Sequence, residues 1–388
     1  MKKRFVIAPL LAGFFVMGFG DIIGTIMNQV KAECVENADT ISWLMPIFAY
    51  VWFLIISIPT AILSGRVGRK NSVLISFGIM ILAMVIAFCS SAERWYLYIV
   101  SFALVGIGNT IIQAALPALM SNVVTKDKLT SRISLGQFVK AICASLTPVF
   151  VYLTATALGN WKLLFPVYAI LTGVVGMWLY FTKIDDERLA QDSEGHQRTS
   201  FASCIAVLKN PYILAMTVGI LFSVGADVGM NVAIPEYLSK VYKVDVNMAG
   251  LGPTVYFAAK TAAAFIGAFV FARVSAAKCL PWAMGLGLVV ILLIPFASSA
   301  FAFFVLVVLM ALFTANSFGM CMGLAIEKNP AKANEITSLM VMAIVGGGII
   351  SAILGVAEKA YGPIAIVFVL SACLAYLFVL GIFSATRK

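Results

Sequence analysis

Ala61-Ile62-Leu63-Ser64-Gly65-Arg66-Val67-Gly68-Arg69-Lys70 is a short basic stretch set between two long apolar ones. Residues 41–64 before it and 71–90 after it are each long enough to cross a bilayer, which takes about 20 apolar residues. The stretch therefore reads as a tight cytoplasmic turn between two membrane helices. Glycine gives the turn its freedom, and Arg66, Arg69 and Lys70 hold it on the cytoplasmic side.

Working outward, the same alternation fills the chain. It has 388 residues, 62% hydrophobic and 11% charged, whereas soluble domains carry roughly 25% charged residues. Apolar runs fall at 5–30, 41–64, 71–90, 95–121, 133–157, 162–182, 212–238, 247–272, 279–298, 300–325, 335–358 and 361–384. Twelve spans at about 32 residues each, loop included, leave no room for a sizeable soluble domain. The fold class expected is an all-α integral membrane protein of twelve transmembrane helices in two six-helix halves. The first run follows Met1-Lys2-Lys3-Arg4 but is too long for a signal peptide, contains Asp21 and lacks a small-residue cleavage site. It is taken as a span.

Charge sets the orientation. Of 27 Lys and Arg, 19 fall at the N-terminus and in the loops on its side, six on the opposite side and two inside spans. Both termini are therefore expected in the cytoplasm, and the net charge of +10 speaks of topology, with no nucleic acid as partner. The longest connection, 183–211, holds Asp185, Asp186, Glu187, Asp192, Glu194 and His196. It reads as a cytoplasmic linker between residues 1–182 and 212–388, and His196 as a solvated side chain. One His and seven scattered Cys give no metal site, disulfide framework or nucleophile–His arrangement. With no phosphate loop either, an enzyme or an ATP-driven pump is not expected; no cofactor or metal is implied.

The halves repeat. Arg66 in Ala61–Lys70 and Arg273 in Ala268-Phe-Val-Phe-Ala-Arg273-Val-Ser-Ala-Ala-Lys278 are 207 residues apart, as are Pro46 and Pro253, while Asp21 and Asp227 are 206 apart. Two parallel six-helix repeats with a midplane site between them is a common transporter plan.

At this point the chain resembles the major facilitator superfamily. Gly65-Arg66-Val67-Gly68-Arg69-Lys70 is similar to that superfamily's signature after helix 2, G-x-L-x-D-R-x-G-R-K, with Gly65 in place of the acidic residue and Ala61 in place of the leading glycine. A narrower resemblance covers nearly the whole chain. Phe14-Phe15-Val-Met-Gly-Phe-Gly-Asp21, Val224-Gly225-Ala226-Asp227-Val228-Gly229 and Val341-Met-Ala-Ile-Val-Gly346-Gly347-Gly348-Ile349 look like the fucose–galactose–glucose:proton symporter family. The resemblance implies sugar uptake across a bacterial inner membrane driven by protons. Two of that family's acids are missing: Thr25 stands one turn after Asp21, and Asn109-Thr-Ile-Ile-Gln113-Ala-Ala-Leu-Pro117 replaces a Glu-bearing segment of span 4.

Asp21, Lys140, Asp227 and Lys260 lie inside spans, where a charge costs at least about 2.5–3.5 kcal/mol. They must face a cavity or one another. Residues three and four apart share a helix face. Asp21 thus joins Thr25 and Asn28, Asn109 joins Gln113, Gln137 joins Lys140, Asp227 joins Asn231, Tyr256 joins Lys260, and Asn316 sits beside Ser317. The superfamily plan implies that these stripes meet at one substrate cavity. The alternative is structural: the Asp and Lys residues pair to fix helix packing, and the amides bond between helices. Trp43, Tyr50, Trp52 and Phe257 read as packing or interface aromatics before sugar platforms. Arg66, Arg69, Arg273 and Gly346-Gly347-Gly348 are candidates for gating or helix packing.

The functional expectation is a monomeric secondary transporter in the lipid bilayer of the inner membrane. It moves a small polar solute, a sugar first, by alternating access with a coupling proton or sodium. Asp21 is the first candidate for the coupling acid and Asp227 the second. Alternatives are a sugar acid or other organic anion, anchored by Lys140 and Lys260, or drug export on the same fold. A membrane scaffold or sensor is the reading from another class, and the four midplane charges oppose it.

Overall fold

Among the described residues, each apolar run carries helix, because a backbone inside lipid must satisfy its own hydrogen bonds. The computed structural model describes residues 2–22, 26, 29–30, 33–184, 200–244 and 252–386. In chain order the helices are α1 (Lys2–Met17), α2 (Ala38–Ile55), α3 (Ser57–Val67), α4 (Arg69–Phe88), α5 (Tyr96–Val123), α6 (Lys126–Ala157), α7 (Leu164–Phe181) and α8 (Phe201–Val207). They continue with α9 (Pro211–Lys240), α10 (Gly252–Val270), α11 (Ala276–Leu293), α12 (Ala300–Thr314), α13 (Ser317–Lys328), α14 (Ala333–Met342), α15 (Gly346–Tyr361) and α16 (Ile364–Thr386).

Among the described residues, nine helices are long and apolar enough to cross a membrane, and the bent pair α2–α3 makes ten. The other two expected spans fall on the shorter apolar helix Val6–Gly20 and on α6. Helix α6 starts at Lys126, seven residues before the apolar run. Its first two turns carry Lys126, Asp127, Lys128 and Arg132, so the helix extends beyond the segment that hydrophobicity can mark. Of the connection 183–211, Asp185, Asp186, Glu187, Asp192, Glu194 and His196 lie outside the described residues; its described part contains the short helix α8, and α9 begins at its last residue, Pro211.

Helix ends follow local chemistry. The side chains of Asn210 and Ser299 accept the backbone N–H of Tyr212 and Ala302, filling donors that a helix start leaves open; Pro211 sits at the first position of α9, where no N–H is needed. Gly68 separates α3 from α4 with φ 90° and ψ 154°, a region open essentially to glycine alone. The turn of the opening stretch is made at this residue.

Several spans are interrupted. Helices α2 and α3 meet at 59° around Ile56. Residues Ala315 and Asn316 break the span between α12 and α13, and a 3-10 turn, Ala343–Val345, separates α14 from α15. In transporters such breaks accompany binding sites.

The chain divides into two compact units. Unit 1 comprises Met1–Thr125, Val139–Val207 and Pro330–Met342; unit 2 comprises Lys126–Phe138, Leu208–Asn329 and Ala343–Lys388. Each unit thus includes one short segment from the other end of the sequence. These two segments are repeat mates: Leu129-Thr130-Ser131 and Ile336-Thr337-Ser338 are 207 residues apart.

Unit 1 is built on α5, which packs on α2 and α4, with α7 on α4 and α14 against α3 and α5. Its core includes Phe14, Phe19, Phe77, Tyr98, Phe165 and Tyr168. Unit 2 is built on α9 and α16, with α15 on α9, α11 on α16 and α12 beside α10 and α11. Small residues let these helices close up. A Cβ on Gly106 would lie 2.3 Å from the Ala49 carbonyl oxygen, and one on Gly381 would lie 2.6 Å from the Pro281 nitrogen. The outer faces remain apolar, with Phe181, Trp282, Phe296 and Phe301 exposed, as lipid contact requires.

Candidate functional site

In unit 2 the structure resolves part of the midplane charge problem. Asp227 lies on α9; Tyr256 and Lys260 lie one turn apart on α10. The Lys260 ammonium stands 2.5 Å from Asp227 Oδ1, and the Tyr256 hydroxyl donates to the same oxygen at 2.9 Å. Lys260 Nζ also lies 5.6 Å from the centre of the Tyr256 ring, within cation–π range. Tyr256 is fully buried, and its hydroxyl also meets Thr314 at the end of α12. Asp227 and Lys260 keep 31% and 21% of their side-chain surface, so the pair is shielded but not sealed.

The break after α12 collects further polar groups from the same unit. Ser317 Oγ is 2.5 Å from Ser223 Oγ on α9. Asn316 Nδ2 donates to the Ala263 carbonyl at 2.9 Å, one turn beyond Lys260. A Cβ on Gly267 would fall 2.4 Å from Asn316 Nδ2, so the amide lies flat on a glycine of α10. Asn316 Oδ1 is buried and has no hydrogen-bond partner.

Unit 1 holds a counterpart on α5. Asn109 and Gln113 are both buried there, one turn apart. Asn109 fills the space beside Gly20, where a Cβ would come within 1.6 Å of Nδ2. Its Oδ1, too, is buried without a partner. Asn109 and Asn316 are 207 residues apart, inside Gly108-Asn109-Thr110 and Ala315-Asn316-Ser317. The amide in each repeat thus occupies the same position, seats on a glycine and leaves its carbonyl oxygen unanswered.

The remaining sequence candidates separate. Asp21 lies in the 3-10 turn Gly18–Ile22, but its side chain is outside the described ones, as is that of Asn231; Asn28 lies outside the described residues. Lys140 is half-buried on α6 in unit 1. The backbone there comes close to the turn that carries Asp21: a Cβ on Gly18 would lie 2.7 Å from the Lys140 carbonyl oxygen. Gln137, three residues earlier, belongs to unit 2.

Of the three arginines, Arg66 and Arg273 are exposed and Arg69 is buried. The Arg69 guanidinium donates through Nε to Asn334 Oδ1 at 2.7 Å and through Nη1 to the Ala118 carbonyl at 3.1 Å and to Asn122 Oδ1. All of these lie in unit 1. In unit 2, Thr130 donates to Glu327 at 2.5 Å and Ser131 to the Ala268 carbonyl at 2.7 Å. Sequence reasoning missed Asn334, Thr130, Glu327 and Asn122. It also missed Thr314 and Ser223, the partner of Ser317. The 207-residue offset carries a signal for part of this set, through Thr130 and Thr337 and through Thr110 and Ser317.

The three glycines differ. A Cβ on Gly346 would meet the Leu221 carbonyl oxygen at 2.3 Å and one on Gly347 would meet Val228 at 2.9 Å, whereas Gly348 faces open space. The first two allow α15 to approach α9; the third has no such duty. Among the described residues no group of three His, Cys, Asp or Glu side chains is placed to hold a metal.

Comparison with known proteins bears on the architecture. The sequence profile of the Major Facilitator Superfamily matches residues 9–229. The solved structure of the E. coli fucose:proton symporter is similar over 100% of both chains, with a TM-score of 0.87 at 17% identity. A proton:xylose symporter bound to 6-bromo-6-deoxy-D-glucose is similar over 99% of this chain and 94% of its own, with a TM-score of 0.73 at 14% identity. A bacterial homologue of the iron transporter ferroportin, in an outward-facing state, is similar over 98% and 100%, with a TM-score of 0.77 at 12% identity. No curated protein matches the sequence.

Proposed function

Since the chain belongs to the major facilitator superfamily, a family of multi-pass membrane transporters, we propose that it carries a small, uncharged, hydroxyl-rich solute, a sugar first, across the bacterial inner membrane. Transport is by alternating access and is coupled to protons, with both termini in the cytoplasm. The observation that carries the solute class is the pair of orphaned amide oxygens. A buried acceptor without a donor costs about 1–3 kcal/mol, and here one occurs at the same place in each repeat. Solute hydroxyls are the donors that answer such oxygens. The likeness to sugar:proton symporters supports the same reading.

The charge arrangement favours a neutral solute over a sugar acid or other organic anion. Lys260 is held by Asp227, so an incoming carboxylate must first displace a carboxylate already in place. Asp21 remains the first candidate for the coupling acid, since Asp227 is already engaged by Lys260.

Proteoliposomes with an imposed pH gradient test this reading. Uptake of a labelled hexose is expected to be competed by glucose or galactose and not by a uronate, and to weaken at least tenfold in affinity in Asn109→Leu and Asn316→Leu. Asp21→Asn is expected to lose gradient-driven accumulation and keep counterflow. Accumulation unchanged in that variant removes Asp21 from coupling, and competition by the uronate alone reverses the solute class.

A further inference from the structure

A carboxylate inside a membrane span needs a cation, and the identity of that cation decides what the protein can be coupled to. At Asp227 the position is filled from within. The Lys260 ammonium is paired with Oδ1. The face of the Tyr256 ring lies 5.6 Å from the same ammonium. The Tyr256 hydroxyl, itself meeting Thr314, fixes Asp227 Oδ1 from another side. A carboxylate oxygen, an aromatic face and a hydroxyl in contact with a broken helix form a cradle for a monovalent cation, and broken helices serve that purpose in ion-coupled transporters. Here the cradle is formed within unit 2 and its occupant is covalently attached.

We propose that Lys260 is a tethered cation: its ammonium takes the place at Asp227 that a free sodium ion would otherwise occupy, and so makes this carboxylate indifferent to external sodium. The inference rests on the transporter reading only for its meaning. The site itself is tested by stability, without substrate. It also divides labour between the two repeat-related acids. Asp227 is served by an internal counter-ion that cannot be exchanged, and Asp21, its mate in the repeat, is left to exchange a proton.

The test compares purified protein in lipid nanodiscs with sodium chloride, methylammonium chloride or choline chloride at equal ionic strength, reading the melting temperature. The unaltered protein is expected to melt at the same temperature in all three. Lys260→Ala is expected to melt lower in choline and to recover with sodium or methylammonium, by about 3 °C once the cation is tenfold above its dissociation constant. Asp227→Asn/Lys260→Ala is expected to lose that response. If Lys260→Ala does not purify as folded protein, Lys260→Ser, whose side chain is too short to fill the place at Asp227, is read in its place. A folded Lys260 variant with no cation response overturns the proposal, as does a sodium response of the unaltered protein that Asp227→Asn abolishes. Failure of hexose uptake in proteoliposomes would strike the solute assignment and leave this readout standing.

Discussion

Removing the Arg69 guanidinium gives the sharpest energetic test of how unit 1 is held. Arg69 is buried, and it bonds Asn334 Oδ1, Asn122 Oδ1 and the Ala118 carbonyl. Its loss does not orphan all three equally. The Ala118 carbonyl still accepts from Ser121 Oγ at 2.7 Å, and Asn122 is half-exposed, so water can reach it. Asn334 is buried and keeps no comparable donor at Oδ1. One fully orphaned acceptor, one partly rehydrated acceptor and the lost charge-assisted bonds amount to about 2–4 kcal/mol for Arg69→Ala. Arg69→Lys retains the charge but not the fork, and reaches one of the two amides. It is expected to cost about 1–2 kcal/mol. The assay is denaturant unfolding in detergent, followed by tryptophan fluorescence, on the two single variants, on Asn334→Ala and on Arg69→Ala/Asn334→Ala. The pairwise coupling is expected at about 1.5–3 kcal/mol, the range of hydrogen bonds to charged groups. A coupling below about 0.5 kcal/mol, the noise of additivity for independent sites, would refute the assignment of Asn334 as the acceptor that matters.

Further outcomes follow from the same geometry. Gly68→Val places a β-branched residue at φ 90° and should cost about 1–3 kcal/mol, measured as above; a neutral effect would mean the turn adopts another conformation. The repeat mates Thr130 and Thr337 should differ. Thr130→Val removes a bond to Glu327 and is expected to cost about 1.5–3 kcal/mol. Thr337 bonds only backbone of its own helix, so Thr337→Val should stay within about 0.5 kcal/mol, and equal effects would contradict this contrast. Burial, aided by nearby Glu335, pushes the Cys204 thiol up to about 12 from an ordinary value near 8.5. The raised folded value means the thiol favours the folded state below about pH 8.5, and that contribution fades as pH rises toward 12. Maleimide at pH 7–9 should therefore label exposed Cys89 and spare Cys204 until the protein is unfolded, as read by peptide mass; rapid labelling of Cys204 in folded protein would show that α8 is not seated against α3 and α14.

The sequence made the spans legible because lipid imposes one requirement on every segment that crosses it. It revealed only in part where a span stops being straight. The bend at Ile56 is signalled by Pro59, which has no N–H for the Ile55 carbonyl, whereas neither Ala315 nor Asn316 is a proline or glycine. The start of α6 was hidden because Lys126, Asp127 and Lys128 carry the helix past the apolar run. The pairing of Asp227 with Lys260 could be anticipated from the cost of lone charges in lipid, and the structure supplies the partner. Arg66 and Arg69 looked alike in sequence. They separate because Gly68 turns the chain between them, leaving Arg66 on the exposed end of α3 and aiming Arg69 inward at the start of α4. The asparagine pair was readable in principle at the 207-residue offset, but only its burial and its unanswered oxygens distinguish it from ordinary helix packing.

The segment Pro330–Met342 lies in unit 1, and this has a consequence for how the protein is made. By the time residue 207 has been synthesised, all of unit 1 except this late segment exists. At about 5–20 residues per second, the ribosome needs roughly 6–25 s more to reach residue 330. For that interval Arg69 is without Asn334, and the faces of α3 and α5 that later receive α14 stay uncovered in the membrane. Assembly of the first unit therefore cannot be completed in the order of translation, and the nascent chain must be kept from other partners until its own distant segment arrives.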